Sequence, residues 1–214
     1  GHSLGGVVTL YAAVARPELF RAVVLIEPVF LPRDVVARAR AAGFLERIAL
    51  VDTALRRRDR FASPEEALAH WRPKPVFAGF SDAVLADYVA AALREDPEAA
   101  SPGERFRLAY PRAWEARIYE TPPLDVWDVV PRLAVPTLAV RGPGTDTLAP
   151  EAWAHWRHLQ PSARFVEVAG TGHLAPLERP EAVAAEVAAF LDELDPAGRT
   201  AAGAGDDRRV AGAP

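Results

Sequence analysis

Apolar and polar positions alternate along this chain in two rhythms. Three short runs are apolar and rich in β-branched residues: Val23-Val24-Leu25-Ile26 within Arg21 to Ile26, Thr137-Leu138-Ala139-Val140 within Pro136 to Gly142, and Phe165-Val166 within Ala163 to Ala169. Such runs predict strands, the first buried on both faces as in a parallel sheet and ended by Glu27-Pro28. Between and around them lie stretches with helical spacing: Gly6 to Arg16, closed by Pro17; Pro150 to Leu159; and Pro180 to Leu191. Strands alternating with helices predict an α/β fold with a parallel sheet flanked by helices.

From Leu31 to about Asp125 the alternation stops and the pattern is mostly helical. An amphipathic segment runs from about Asp34 to Arg60. A second helix has a clear start, with Ser63 as N-cap, Pro64 at the first helical position and Glu66 closing a capping box. A third runs from Ser81 through Val89 towards Asp96-Pro97. Glu98 to Gly103 is loop-like, and Thr121-Pro122-Pro123 ends the block. The expected organisation is core at 1–30, a helical insertion at 31–125, core again at 126–195, and a disordered tail of Gly, Ala, Arg and Asp at 196–214. No internal repeat is visible.

Composition narrows the classes of function. A chain of 214 residues, half hydrophobic and a quarter charged, has enough apolar matter for one large core or two small ones. The net charge of −4 implies no general affinity for nucleic acid or anionic membrane. No apolar run approaches the ~20 residues of a spanning helix. Cysteine is absent, which excludes disulfides and thiolate metal sites. No Gly-rich phosphate loop, dinucleotide fingerprint or Cys/His cluster occurs, so neither a cofactor nor a metal is expected. No signal peptide is visible. That fixes no compartment, although a cytoplasmic one is favoured.

The chemistry lies in Gly1-His2-Ser3-Leu4-Gly5, a G-x-S-x-G pattern followed at once by a helix. This is the form of a nucleophile elbow, a strand-to-helix turn with serine at its apex. A side chain at either glycine is expected to crowd that turn. An elbow needs a strand before it, and nothing here precedes Gly1, so the chain reads as the C-terminal part of a larger enzyme. An activated serine needs a base and an acid that orients the base. His173, in Gly170-Thr171-Gly172-His173, follows the last strand. Asp146, in Arg141-Gly142-Pro143-Gly144-Thr145-Asp146, follows the one before. Glu27, at the end of the first strand, is the alternative acid, and Asp146 could instead cap the next helix.

With these residues the chain resembles a cap-bearing α/β-hydrolase, a serine hydrolase, over about Gly1 to Leu194. The elbow, the Gly-x-x-x-Asp turn, the Gly-His turn before the closing helix and the helical insertion carry the resemblance. It implies Ser3 as nucleophile, His173 as general base and then acid, Asp146 as the orienting carboxylate, and the Leu4 amide as one oxyanion donor. The family's second donor comes from a loop near the start of its sheet, outside this sequence. Losing one such donor is worth ~10²–10³ in turnover. The family's earlier strands are also outside it, so the strand from Arg21 is expected to expose an apolar, unpaired edge open to self-association.

The implied reaction is hydrolysis of a carboxylic ester of a small to medium apolar substrate through an acyl-enzyme. Cleavage of a carbon–carbon bond in a diketone-like compound is also within the family's range. The serine argues against dehalogenase or epoxide hydrolase chemistry, where the family uses Asp. Two rival readings remain: a non-catalytic remnant or partner-binding module, and an acyltransferase with the same three residues. A small-molecule substrate is the expected partner.

Other residues have plainer readings. His2 lies inside the elbow and fits a packing role. His70, His155 and His158 fit surface or packing positions, since no carboxylate motif completes a metal site. The basic run Arg56-Arg57-Arg58-Asp59-Arg60 fits an exposed helix end, where cations suit the dipole; phosphate binding is the alternative. Trp71, Phe77, Phe80, Trp114 and Tyr119 fit the core of the insertion, with a few lining a pocket over Ser3.

Overall fold

The computed structural model describes residues 1–42 and 49–195. The expected tail at 196–214 lies outside the described residues, as does a stretch of the long amphipathic segment, 43–48. The chain opens with α1 (Leu4–Ala15) and β1 (Val23–Ile26). It continues through α2 (Arg33–Ala42), α3 (Ala49–Arg56), β2 (Arg60–Phe61), α4 (Pro64–Trp71), α5 (Asp82–Ala92), β3 (Leu93–Glu95), β4 (Phe106–Leu108) and α6 (Arg112–Glu120). It closes with α7 (Val126–Val129), β5 (Thr137–Arg141), α8 (Pro150–Leu159), β6 (Arg164–Glu167), α9 (Ala175–Glu178) and α10 (Pro180–Leu194).

The three apolar runs pair as a parallel sheet in the order β1-β5-β6, with Leu25 opposite Ala139 and Leu138 opposite Arg164. Every residue of β5 is buried, because β5 has a strand on each side and helices on both faces. On one face Leu25 and Ala139 pack with Leu10 of α1 and Trp156 of α8. On the other, Leu138 and Val140 meet Val183 and Phe190 of α10. The outer edge of β1 is not bare as expected. Gly1–Ser3 lie along it: the Ile26 amide donates to Gly1 O at 2.9 Å, and the Ser3 amide to Ile26 O at 3.0 Å.

Trp156 anchors the larger face. It is fully buried, and its ring sits edge-on to Phe30 at 4.8 Å and to Phe165 at 5.4 Å. Its Nε1–H donates to Gln160 Oε1 at 3.0 Å, and Gln160 in turn donates to Leu133 O. Trp156→Ala empties that volume and strands the buried Gln160 oxygen. The expected loss is about 4 kcal/mol of unfolding free energy, measured by urea titration.

Between β1 and β5, sheet neighbours, the chain leaves the core and returns. Trp127 Nε1–H donates to Leu31 O at 2.8 Å, tying the two ends of this excursion together. α3 packs on α6 through Val51, Ala54 and Ala116. α4 starts as its sequence predicts: Ser63 Oγ accepts from the Glu66 amide at 3.2 Å. The returning Glu66 carboxylate accepts from the Ala62 amide, one residue before the cap, at 2.6 Å.

The insertion is not wholly helical. β2, β4 and β3 form a small antiparallel sheet, and α5 stops at Ala92 instead of running to Asp96. Strands of two and three residues are too short for a period-two pattern to show. Trp71, Phe77 and Phe80 are buried there, but Trp114 is 67% exposed rather than part of a core.

Candidate active site

The segment Gly1–His2 alongside β1 and the carboxyl ends of β1, β5 and β6 open onto four turns that meet at one place, the usual location for a site in an open parallel sheet. The first belongs to Ser3. It sits between the residues lying along β1 and the first turn of α1, with φ 55° and ψ −126°. Such a backbone is costly for a non-glycine residue and persists where the surroundings impose it. A Cβ on Gly1 would lie 2.3 Å from Gly5 O, so a glycine there is required. At Gly5 the expectation of crowding is not met, since a Cβ there would touch nothing within 4 Å.

His173 reaches Ser3 from the turn after β6. Its Nε2 lies 2.9 Å from Ser3 Oγ, the spacing for the serine hydroxyl to donate to it. The turn is held from several sides. Thr171 Oγ1 donates to Val168 O at 2.7 Å, and the Gly172 amide donates to the Glu178 carboxylate at 2.5 Å. His2 does more than fill space: its Nε2 lies 2.7 Å from the His173 carbonyl, to which it donates. Burial, ahead of the opposing effect of that bond, pushes the His2 imidazole below its usual range, so the ring is neutral at pH 7.

The group behind His173 is Glu27. Its Oε2 lies 3.3 Å from His173 Nδ1, and the residue is fully buried. Glu27 also has a left-handed backbone, φ 46°, which turns its side chain at the very end of β1. Two further donors meet the carboxylate: the Gly142 amide on Oε1 and Thr145 Oγ1 on Oε2, both at 2.6 Å. Asp146, expected in this position, is instead exposed and accepts from its neighbour Thr147 Oγ1 at 3.2 Å. The Gly142–Asp146 turn therefore supplies donors to the Glu27 carboxylate, and its own Asp146 stays away from His173.

That turn is pressed against the His173 turn. The Gly144 amide donates to Thr171 O at 2.9 Å, and a Cβ on Gly142 would lie 2.4 Å from Gly172 O. Arg141, buried at the end of β5, pins the far side by donating from Nε to Leu148 O at 2.9 Å and pairing with Glu167. The support from Gly142, Thr145, Glu178 and His2 was not anticipated from sequence. A glutamate closing an apolar strand was the signal that made Glu27 the alternative acid, for a buried charge needs partners.

The Leu4 amide opens α1 and faces no backbone acceptor among the described residues, leaving it available beside Ser3. Among the described residues there is no group of three or more His, Cys, Asp or Glu able to hold a metal. Nor is any helix there long and apolar enough to cross a membrane. His155 packs its ring edge-on to Trp127 at 4.9 Å.

Residues 1–186 match the model of the alpha/beta hydrolase family. The chain belongs to that family. No curated protein sequence matches it. Solved structures share its fold. E-2-(acetamidomethylene)succinate hydrolase superposes with a TM-score of 0.65 at 21% identity, over 90% of this chain and 65% of that one. The peroxisomal alpha-beta-hydrolase Lpx1 of Saccharomyces cerevisiae gives 0.73 at 21% identity, over 90% and 51%. The M. tuberculosis esterase Rv0045c gives 0.62 at 22%, over 90% and 61%. This alpha/beta hydrolase chain thus spans between half and two thirds of the length of these relatives in fold.

Proposed function

We propose that Ser3 is the nucleophile of a hydrolase acting on a carboxylic ester, with His173 as proton shuttle and Glu27 as the residue orienting it. The observation that carries this reading is the continuous path from Ser3 Oγ through His173 to the buried Glu27 carboxylate, at 2.9 and 3.3 Å. With Nδ1–H donated to Glu27, Nε2 is left bare to accept the serine proton.

In the proposed reaction Ser3 Oγ attacks the ester carbonyl carbon while its proton passes to His173 Nε2. The oxyanion so formed meets the Leu4 amide at the positive end of α1. Collapse breaks the carbon–oxygen bond, and His173 returns its proton to the departing alkoxide. Water, deprotonated by His173, then attacks the acyl-serine and releases a carboxylic acid and free Ser3. The apolar lining of the insertion above the His173 turn suits an acyl or alcohol part of small to medium size.

The test is covalent labelling with an alkyl fluorophosphonate, followed by peptide mapping. One phosphonyl adduct is expected, on the peptide carrying Ser3, and none in His173→Ala protein. Labelling elsewhere, or labelling that ignores loss of His173, would contradict the assignment.

A further inference from the structure

Between the insertion and the turn after β6 lies an open cavity of about 610 Å³ whose apolar walls include Trp71, Phe77, Phe80, Tyr88, Leu174 and Leu177. Leu174 directly follows His173, so the cavity shares a wall with the turn that presents the base to Ser3. Ser3 does not itself line it. A purely apolar ligand would need nothing more than these walls. Yet the basic run that read as an exposed helix end lies here: Arg56, Arg57 and Arg58 contribute to the lining, together with Lys74 and His70.

Of the four cations in the lining two are already matched, and Arg56 is exposed to solvent. Arg57 pairs with Glu115 at 2.8 Å, and Arg58 with Glu66 at 2.6 Å while stacking over Phe61. Lys74 differs. Among the described residues it enters no ion pair, and the partner of its ammonium is His70 Nε2 at 2.8 Å, to which it donates. Burial, then the neighbouring Lys74 and Arg58 charges, keep the His70 ring below its usual pKa, so it is a neutral acceptor and does not compensate Lys74. Burial, then Arg57, likewise presses the Lys74 ammonium downward. A half-buried ammonium with donor capacity to spare and no counter-charge gains from an anion beside it.

We propose that this cavity binds an amphipathic carboxylate, with Lys74 holding the carboxylate and the aromatic walls holding the apolar body. As the substrate class of the Ser3 site, this rests on the hydrolase reading: the ester cleaved would carry a free carboxylate at the end remote from the scissile bond. Among the described residues Lys74 is the one half-buried cation of the lining without a carboxylate beside it, which suits a monoanion. A phosphate dianion calls for more donors: Arg57 and Arg58 are committed elsewhere, and Arg56 is exposed to water at the rim.

Binding is tested without turnover, by calorimetry on the Ser3→Ala chain. The probes are 4-phenylbutyrate, its neutral amide and phenylethyl phosphate. The carboxylate is expected to bind about tenfold more tightly than the amide and more tightly than the phosphate. Lys74→Gln should erase the preference over the amide, and Lys74→Arg should keep it, with thermal melts reporting whether each variant folds. Equal affinity for carboxylate and amide, or a preference that survives in folded Lys74→Gln, would overturn the proposal. So would tighter binding of the phosphate. Because no bond is cleaved, this outcome is independent of labelling at Ser3.

Discussion

Glu27→Gln is expected to lower kcat for ester hydrolysis by about 10⁴-fold, while Asp146→Asn changes it by less than about twofold. The glutamine keeps the length and shape of the side chain but replaces one acceptor oxygen with an NH2. The Glu27 carboxylate accepts from three donors: the Gly142 amide, Thr145 Oγ1 and His173 Nδ1. An amide has one oxygen to offer them, so one of its own N–H groups must face another donor. If it faces His173, the imidazole relieves the conflict by moving its proton from Nδ1 to Nε2. Nε2 can then no longer accept the serine proton, and turnover falls without loss of the site's shape. Asp146, exposed and bonded to Thr147, touches none of this. Steady-state kinetics on both variants, with thermal melts to confirm folding, check the result. A large loss with Asp146→Asn and none with Glu27→Gln would reverse the assignment.

Ser3→Ala is expected to cost more, about 10⁶ in kcat, with His173→Ala close to it and the double variant no worse than either single one. The reason is that the two side chains act as one unit. Without Oγ no acyl-enzyme forms, so nothing remains for His173 to accelerate. Without His173 the hydroxyl has no acceptor at 2.9 Å. The residual rate is set by what both variants retain, including the Leu4 amide at the start of α1. The Ser3 hydroxyl makes no side-chain cap to α1, so its loss should leave the fold intact. Single-turnover kinetics with a chromogenic ester check this. Additive losses in the double variant would mean that the residues act separately.

What could be read from sequence follows from how local each signal is. β1, β5 and α8 announce themselves in runs of four to ten residues, because burial on both faces or a capped amphipathic turn leaves a contiguous trace. Ser3 and His173 were legible for the same reason: each sits in a glycine-bracketed turn at an element boundary. The acid was not. A carboxylate in the Gly142–Asp146 turn and one at the end of β1 are equally placed in the sequence. What separates them is contact with residues 115 to 146 positions away from Glu27. Pairing at that range leaves no periodic trace. The same holds for Lys74, whose lack of a counter-charge emerges only once Arg57 and Arg58 are seen to have taken Glu115 and Glu66. The elbow glycines show the complementary error. The motif treats them alike, yet Gly1 is hemmed in by backbone and Gly5 faces open space.

The most direct measurement is the proton NMR spectrum of the His173 Nδ1–H in the free protein at neutral pH. A resonance far downfield of the amide envelope is expected, slowed in exchange by its bond to the buried Glu27. It should vanish in Glu27→Gln and persist in Asp146→Asn. Its absence from the unaltered protein, or its loss in Asp146→Asn with survival in Glu27→Gln, would contradict the Ser3–His173–Glu27 arrangement.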